Sequence, residues 1–203
     1  MAAAVLALLS APEFASATGP VDVIGPPEVR SLVESFLVPT LPRPVRIRLG
    51  ACPDGVPSQG CHIPGGRMDT IWLNPEAGGL DLETTAHEMG HVFENYMWDL
   101  RWEQRQGTAF VPKIFGRIAD VLFENPGAYI FESTDWAEWF AESYSSCARS
   151  PELTETISGF YGFHMSPEQH ALICPMIDEM GHKYEEAGAA RPAVAFRRAQ
   201  TIG

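Results

Sequence analysis

The pentapeptide His87-Glu88-Met89-Gly90-His91 constrains this chain more than anything else in it. On an α-helix, residues four apart share a face. Two imidazoles at that spacing can grip one ion, and the carboxylate beside the first can act on an adjacent water, so the segment reads as half of a catalytic zinc site. The flanks suit a helix. Asp81 is placed to cap it, and Leu82-Glu83-Thr84-Thr85-Ala86 carries no breaker. Leu82, Ala86, Met89, Phe93 and Tyr96/Met97 recur at three- and four-residue steps as an apolar stripe. Gly90 costs such a helix up to about 1 kcal/mol relative to Ala, which points to close packing on its side.

A chain of 203 residues with 45% hydrophobic content suits one domain, with room for a small helical subdomain. Seventeen prolines and eighteen glycines predict long loops. The net charge of −12 argues against nucleic-acid binding, which needs a basic face to neutralise phosphates. Residues 1–17 read as a secretory signal: Ala2 to Leu9 form a short apolar run, and Ala15-Ser16-Ala17 is an A-x-A cleavage site. No Lys or Arg precedes the apolar run, a departure from the usual signal. That run is too short to span a bilayer, so no transmembrane segment is expected. The domain is then 18–187, with 188–203 as a small, basic, flexible tail. Only Thr18 to about Pro27 would precede the first helix, too little for an inhibitory pro-segment. Nothing in the sequence bears on oligomeric state.

Four cysteines agree with an oxidising destination. Cys52 and Cys61 bracket a tight loop and are expected to bridge locally, leaving Cys147 and Cys174 to join two C-terminal helices. Three pairings are formally open. A zinc knuckle is disfavoured because there is no C-x-x-C spacing.

Along the chain, Pro27 opens a helix expected to run from Glu28 to about Val38, with Val29, Leu32, Val33, Phe36 and Leu37 as its apolar stripe. Val45–Leu49 and Asp69–Leu73 read as strands. Helices follow the metal helix at about Pro112–Phe123, from Ser133-Thr134-Asp135 through Arg149, and from Ser166-Pro167 to about Glu186, the last with a possible kink at Pro175. A turn at Asn125-Pro126-Gly127 separates the first two.

A catalytic zinc takes three protein ligands and leaves one position for water. The extended metzincin pattern would need Gly at 94 and His at 97, where Glu94 and Met97 stand. Glu94 lies about 10 Å along the axis from His87, which leaves it at most a supporting or solvated role. Trp136-Ala137-Glu138-Trp139-Phe140-Ala141-Glu142 is the better source. Glu138 and Glu142 are four apart beside an aromatic stripe, so one can ligate while the other orients a ligand histidine. The plain alternative is that Glu138 closes a capping box with Asp135 and Glu142 is solvated.

The pairing of His87-Glu88-Met89-Gly90-His91 with Glu138-Trp139-Phe140-Ala141-Glu142 resembles the gluzincin peptidases. In particular it resembles the anthrax lethal factor catalytic-domain family, over roughly residues 80 to 148. The resemblance implies an α+β, zincin-like fold: a small sheet whose edge strand packs on the HExxH helix, followed by a mainly helical C-terminal half. It implies His87, His91 and Glu138 as ligands of one catalytic Zn²⁺, with Glu142 supporting a histidine. Glu142 as the ligand is the next alternative and Asp135 the third.

The function that follows is a secreted zinc peptidase acting on a protein or peptide substrate. Glu88 is its general base, and Tyr129, placed as gluzincins often place such a tyrosine, or His164 stabilises the oxyanion. Thr70 to Leu73 is the expected edge strand along which a substrate adds. The alternatives are a zinc hydrolase of a non-protein amide or ester, and a secreted zinc-binding module without catalysis.

Overall fold

A computed structural model describes residues 23–38, 45–65, 68–103, 110–123, 134–149, 157–158 and 163–189. The expected signal at 1–17, the turn at 125–127, Tyr129 and residues 190–203 of the expected tail lie outside them, as do the side chains of Tyr96, Met97 and Asp135.

The fold is α+β. Strand β1 (Val23–Ile24) leads through helix α1 (Pro27–Glu34) to β2 (Val45–Leu49), which lies parallel to it. Then come β3 (Gly60–Ile63), β4 (Asp69–Leu73), a short 3₁₀ turn at Pro75–Ala77, and α2 (Leu82–Glu103). The second half holds α3 (Phe110–Phe123), α4 (Thr134–Arg149), the paired strands β5 (Ile157–Ser158) and β6 (His164–Met165), and α5 (Pro167–Ala189). Helix α5 passes through Pro175 and runs two residues past the expected domain end at 187.

The four-stranded sheet has the order β1-β2-β4-β3. Strands β2 and β4 are parallel, with Val45 opposite Asp69 and Leu49 opposite Leu73; β3 is antiparallel to β4, with Gly60 opposite Leu73 and His62 opposite Ile71. This corrects the expected edge. Thr70–Leu73 lies inside the sheet, and Gly60–Ile63 is the outer strand packed against α2. The reason is local. The chain after Cys52 doubles back, the Cys52–Cys61 bridge closes the loop, and the Asn74 N–H donates to the Gln59 carbonyl at 2.7 Å, extending the antiparallel pairing past the strand end. Gly60-Cys61-His62-Ile63 has no alternating pattern, and nothing in its own composition marks it as a strand.

Helix α1 ends at Glu34, four residues short of the expected Val38. Ser35 Oγ and the Ser35 N–H both bond the Leu32 carbonyl, tightening the last turn, and the Leu37 N–H then donates to the Ala148 carbonyl near the end of α4. Phe36 and Val38 stay in the core beside Val29 and Val33, but Leu37 turns outward, 47% exposed.

The inward face of the sheet carries Val23, Val45, Ile47, Ile71 and Leu73 in one core with Ala86, Met89, Val92 and Phe93 of α2. Phe115 of α3, Trp136, Phe140 and Tyr144 of α4, and Ile173 and Ile177 of α5 complete it. One inward residue does not fit this apolar set: Asp69 is fully buried. Both expected bridges are present, Cys52–Cys61 and Cys147–Cys174, the second tying α4 to α5. They are consistent with an extracytoplasmic protein. Among the described residues, no helix is long and apolar enough to cross a membrane.

Candidate metal centre

Helix α2 presents the histidines because it is capped and wedged in place. The Thr84 N–H and hydroxyl both donate to the Asp81 carboxylate, at 2.7 and 3.0 Å, which holds the first turn as the sequence implied. Helix α4 crosses α2 in the opposite sense: Glu138 meets His87 and His91, whereas Ser145 and Arg149 meet Glu83. Gly90 permits this crossing. A Cβ at that position would lie 2.7 Å from Ala141 Cα and 3.1 Å from Tyr144 Cβ. The glycine's helix-propensity cost is therefore offset by the approach of two backbones.

That approach brings three donor atoms together. His87 Nε2 lies 3.1 Å from His91 Nε2 and 3.2 Å from Glu138 Oε2, and His91 Nε2 lies 3.4 Å from the same carboxylate oxygen. Ligands on tetrahedral zinc with bonds of 2.0–2.1 Å sit about 3.3 Å apart, so this triangle fits such an ion. Glu142 takes the other nitrogen of His87, with Oε1 3.0 Å from Nδ1 and only 1% of its side chain exposed. A carboxylate there fixes the ring and directs Nε2 to the cluster.

The electrostatics call for a cation. Burial works against a charge on His87, yet hydrogen bonds to Glu138 and Glu142, with the fields of Glu88 and Glu142, outweigh it and raise its pKa to about 9. Burial likewise acts against the charge on Glu138, but its bonds to His87 and His91 prevail and hold it down to about 2. Glu88 differs: burial raises its pKa, and His91, His87 and His62 only temper the effect. A proton can serve as the counter-charge in this nest, and so can a metal ion.

Compared with protein-family models, curated proteins and solved structures, the chain matches none. The site therefore stands on its own geometry.

Of the expected site residues, the structure brings together His87, Glu88, His91, Glu138 and Glu142. Glu94 is outside the donor group, Tyr129 is outside the described residues, and His164 is an exposed residue of β6. Cys147, Cys174 and His170 also cluster, but the two sulfurs are joined to each other and so are not thiolate ligands. The aromatic stripe is structural: Trp136 and Phe140 pack on Phe115, and Trp139 on Phe163.

Sequence reasoning missed a second group beside the cluster. His62 Nε2 lies 2.7 Å from Asp69 Oδ2, and its ring lies parallel to that of His91 at 6.2 Å. The Asp69 carboxylate also accepts from the Gly65 N–H at 2.8 Å and from Asn95 Nδ2, one helical turn beyond His91, at 3.2 Å. Gly60 abuts the base: a Cβ there would lie 2.8 Å from Glu88 Oε1. The contacts of His62, Asn95 and Gly60 do not follow from local spacing, because they depend on how β3 pairs with β4 and packs on α2.

Proposed function

We propose that this chain is a secreted zinc-dependent peptidase of the gluzincin type with a zincin-like fold. The observation that carries the reading is the donor triangle of His87, His91 and Glu138, with Glu88 beside it and Glu142 on the far nitrogen of His87. Zinc bound there would supply Lewis acidity toward water and the substrate carbonyl. His87, His91 and Glu138 would hold the ion, and Glu142 keeps the His87 ring turned toward it.

Glu88 does the proton work. It takes a proton from the attacking water and returns it to the leaving amine. Its burial, which raises its pKa, suits a group that must hold the proton for part of the cycle. An extended peptide adding along the outer edge of β3 would pass Gly60, which lies against Glu88. A purely structural metal site has no use for a buried carboxylate in that place, which favours catalysis over a binding module.

The test is zinc content and turnover of peptide mixtures for wild type, Glu138→Ala and Glu88→Gln. One equivalent of zinc in wild type, much reduced in Glu138→Ala and retained without turnover in Glu88→Gln, is the expected pattern. Zinc absent from folded wild type refutes the reading. Turnover of amides or esters outside peptides, with the same variant pattern, would move the substrate class and leave the site assignment standing.

A further inference from the structure

The His62–Asp69 pair lies beside the metal cluster and has no part in the zinc-binding reading above. Asp69 sits among the apolar inward residues of β2 and β4 and is fully buried. A buried carboxylate is costly unless hydrogen-bonded, and here partners converge on it from β3, the loop after β3 and α2: His62, Gly65 and Asn95. Within the sheet, residues opposite or two apart share a face. Gly60 and His62 therefore point to the same side as Ile71 and Leu73, toward α2. Gly60 lies against Glu88, and His62 lies alongside His91. The strand thus meets the active face of α2 with one close backbone contact, at Gly60, and one imidazole, at His62.

Asp69 sets the tautomer of that imidazole. A carboxylate only accepts, so in the neutral imidazole the hydrogen bond at 2.7 Å places the ring hydrogen on Nε2 and leaves Nδ1 with a lone pair. Nδ1 has no hydrogen-bond partner among the described residues and is not sealed from solvent, which reaches 8% of the His62 side chain. We propose that His62 is a substrate-binding residue, its Nδ1 accepting a hydrogen bond from an amide N–H of an extended peptide held between β3 and the metal cluster. The proposal rests on the peptidase reading above, and it adds what that reading lacks, a group specific for the substrate backbone.

Acetohydroxamate tests it without knowledge of the side chains preferred. The probe chelates zinc through its two oxygens and carries one N–H, and N-methylacetohydroxamate chelates in the same way without it. Binding of both to the zinc-loaded protein is measured by calorimetry. In wild type the N–H form is expected to bind more tightly than the N-methyl form by an extra factor of about three to ten. His62→Ala and His62→Gln should each abolish that factor while zinc content stays at one equivalent. Asp69→Asn keeps the ring but reverses its tautomer, and should abolish the factor as well.

Preference for the N–H form surviving in folded, zinc-loaded His62 variants overturns the proposal and leaves the peptidase reading intact. A loss of affinity equal for both probes also overturns it, since that is the signature of a merely structural role. Wild type that takes up no zinc defeats the peptidase reading, and this proposal with it.

Discussion

Replacing Gly90 with Ala sets helix propensity against helix crossing. Alanine in the middle of a helix is favoured by up to about 1 kcal/mol over glycine, so α2 in isolation would gain. In the folded chain the new methyl lies 2.7 Å from Ala141 Cα and 3.1 Å from both the Ala141 carbonyl oxygen and Tyr144 Cβ. An ordinary carbon contact needs about 3.5 Å, so α4 must withdraw by about 0.8 Å. The nearest atoms are backbone, so no rotamer change can absorb the shift. Overpacking of this kind costs about 1–3 kcal/mol, and the upper part of that range applies here, for a net loss of about 1–2 kcal/mol. The withdrawal carries Glu138 and Glu142 with it, opening contacts now 3.0 to 3.4 Å long. Zinc affinity should fall by about ten- to a hundredfold. Urea unfolding of the metal-free protein and a chelator-competition titration read the two effects separately. A Gly90→Ala protein that is more stable than wild type and binds zinc equally well would refute the argument that this glycine sets the crossing distance.

Three further outcomes are expected. Glu142→Gln should keep the fold but weaken zinc binding about ten- to a hundredfold, measured by the same competition titration. In the metal-free protein, His87, ringed by Glu138, Glu142, Glu88 and His91, has its pKa raised above the unfolded value near 6.5 to about 9. Its stabilising contribution is thus complete below pH 6.5 and lost as pH rises through 9; zinc binding near pH 7.5 should release about one proton, read by calorimetry in buffers of different ionisation heat. Removing Cys147–Cys174, with a separation of 27, should cost about 3–4 kcal/mol, and removing Cys52–Cys61, with a separation of 9, about 1 kcal/mol less in the chain-entropy account. Denaturant midpoints of the paired Cys→Ser variants test the order.

What could be read in the sequence was what repeats locally. The apolar stripe Ala86, Met89, Phe93 and the cap at Asp81 marked α2, and all four now serve as expected. Gly90, an anomaly in that stripe, pointed to a close approach before its partner was known. Glu138 and Glu142 were legible as a pair through their four-residue spacing, although only the crossing with α2 gives them different nitrogens of His87. The edge strand was not legible. Gly60 lacks a side chain and Cys61 is claimed by a bridge, so the hydrophobic alternation that betrays β2 and β4 is missing. With β3 went His62, whose role depends on a carboxylate seven residues away on a neighbouring strand. The early end of α1 was hidden for a similar reason, since the carbonyl that redirects Leu37 belongs to α4.

The two covalent crosslinks sit on opposite banks of the metal cluster, one beside β3 and one on α4. Cys61 lies between Gly60 and His62, and Cys147 is five residues beyond Glu142 on the same helix, while α2 between them has none. Each bank is thereby stapled to its own neighbour, and only noncovalent packing, together with any bound ion, fastens one bank to the other. Helix α2 packs on α4 more extensively than on the sheet, so breathing should take the form of the sheet parting from the helices. In hydrogen-exchange terms the sheet and the helices would form two cooperative blocks, and a metal held by α2 and α4 would raise the protection of the helical block.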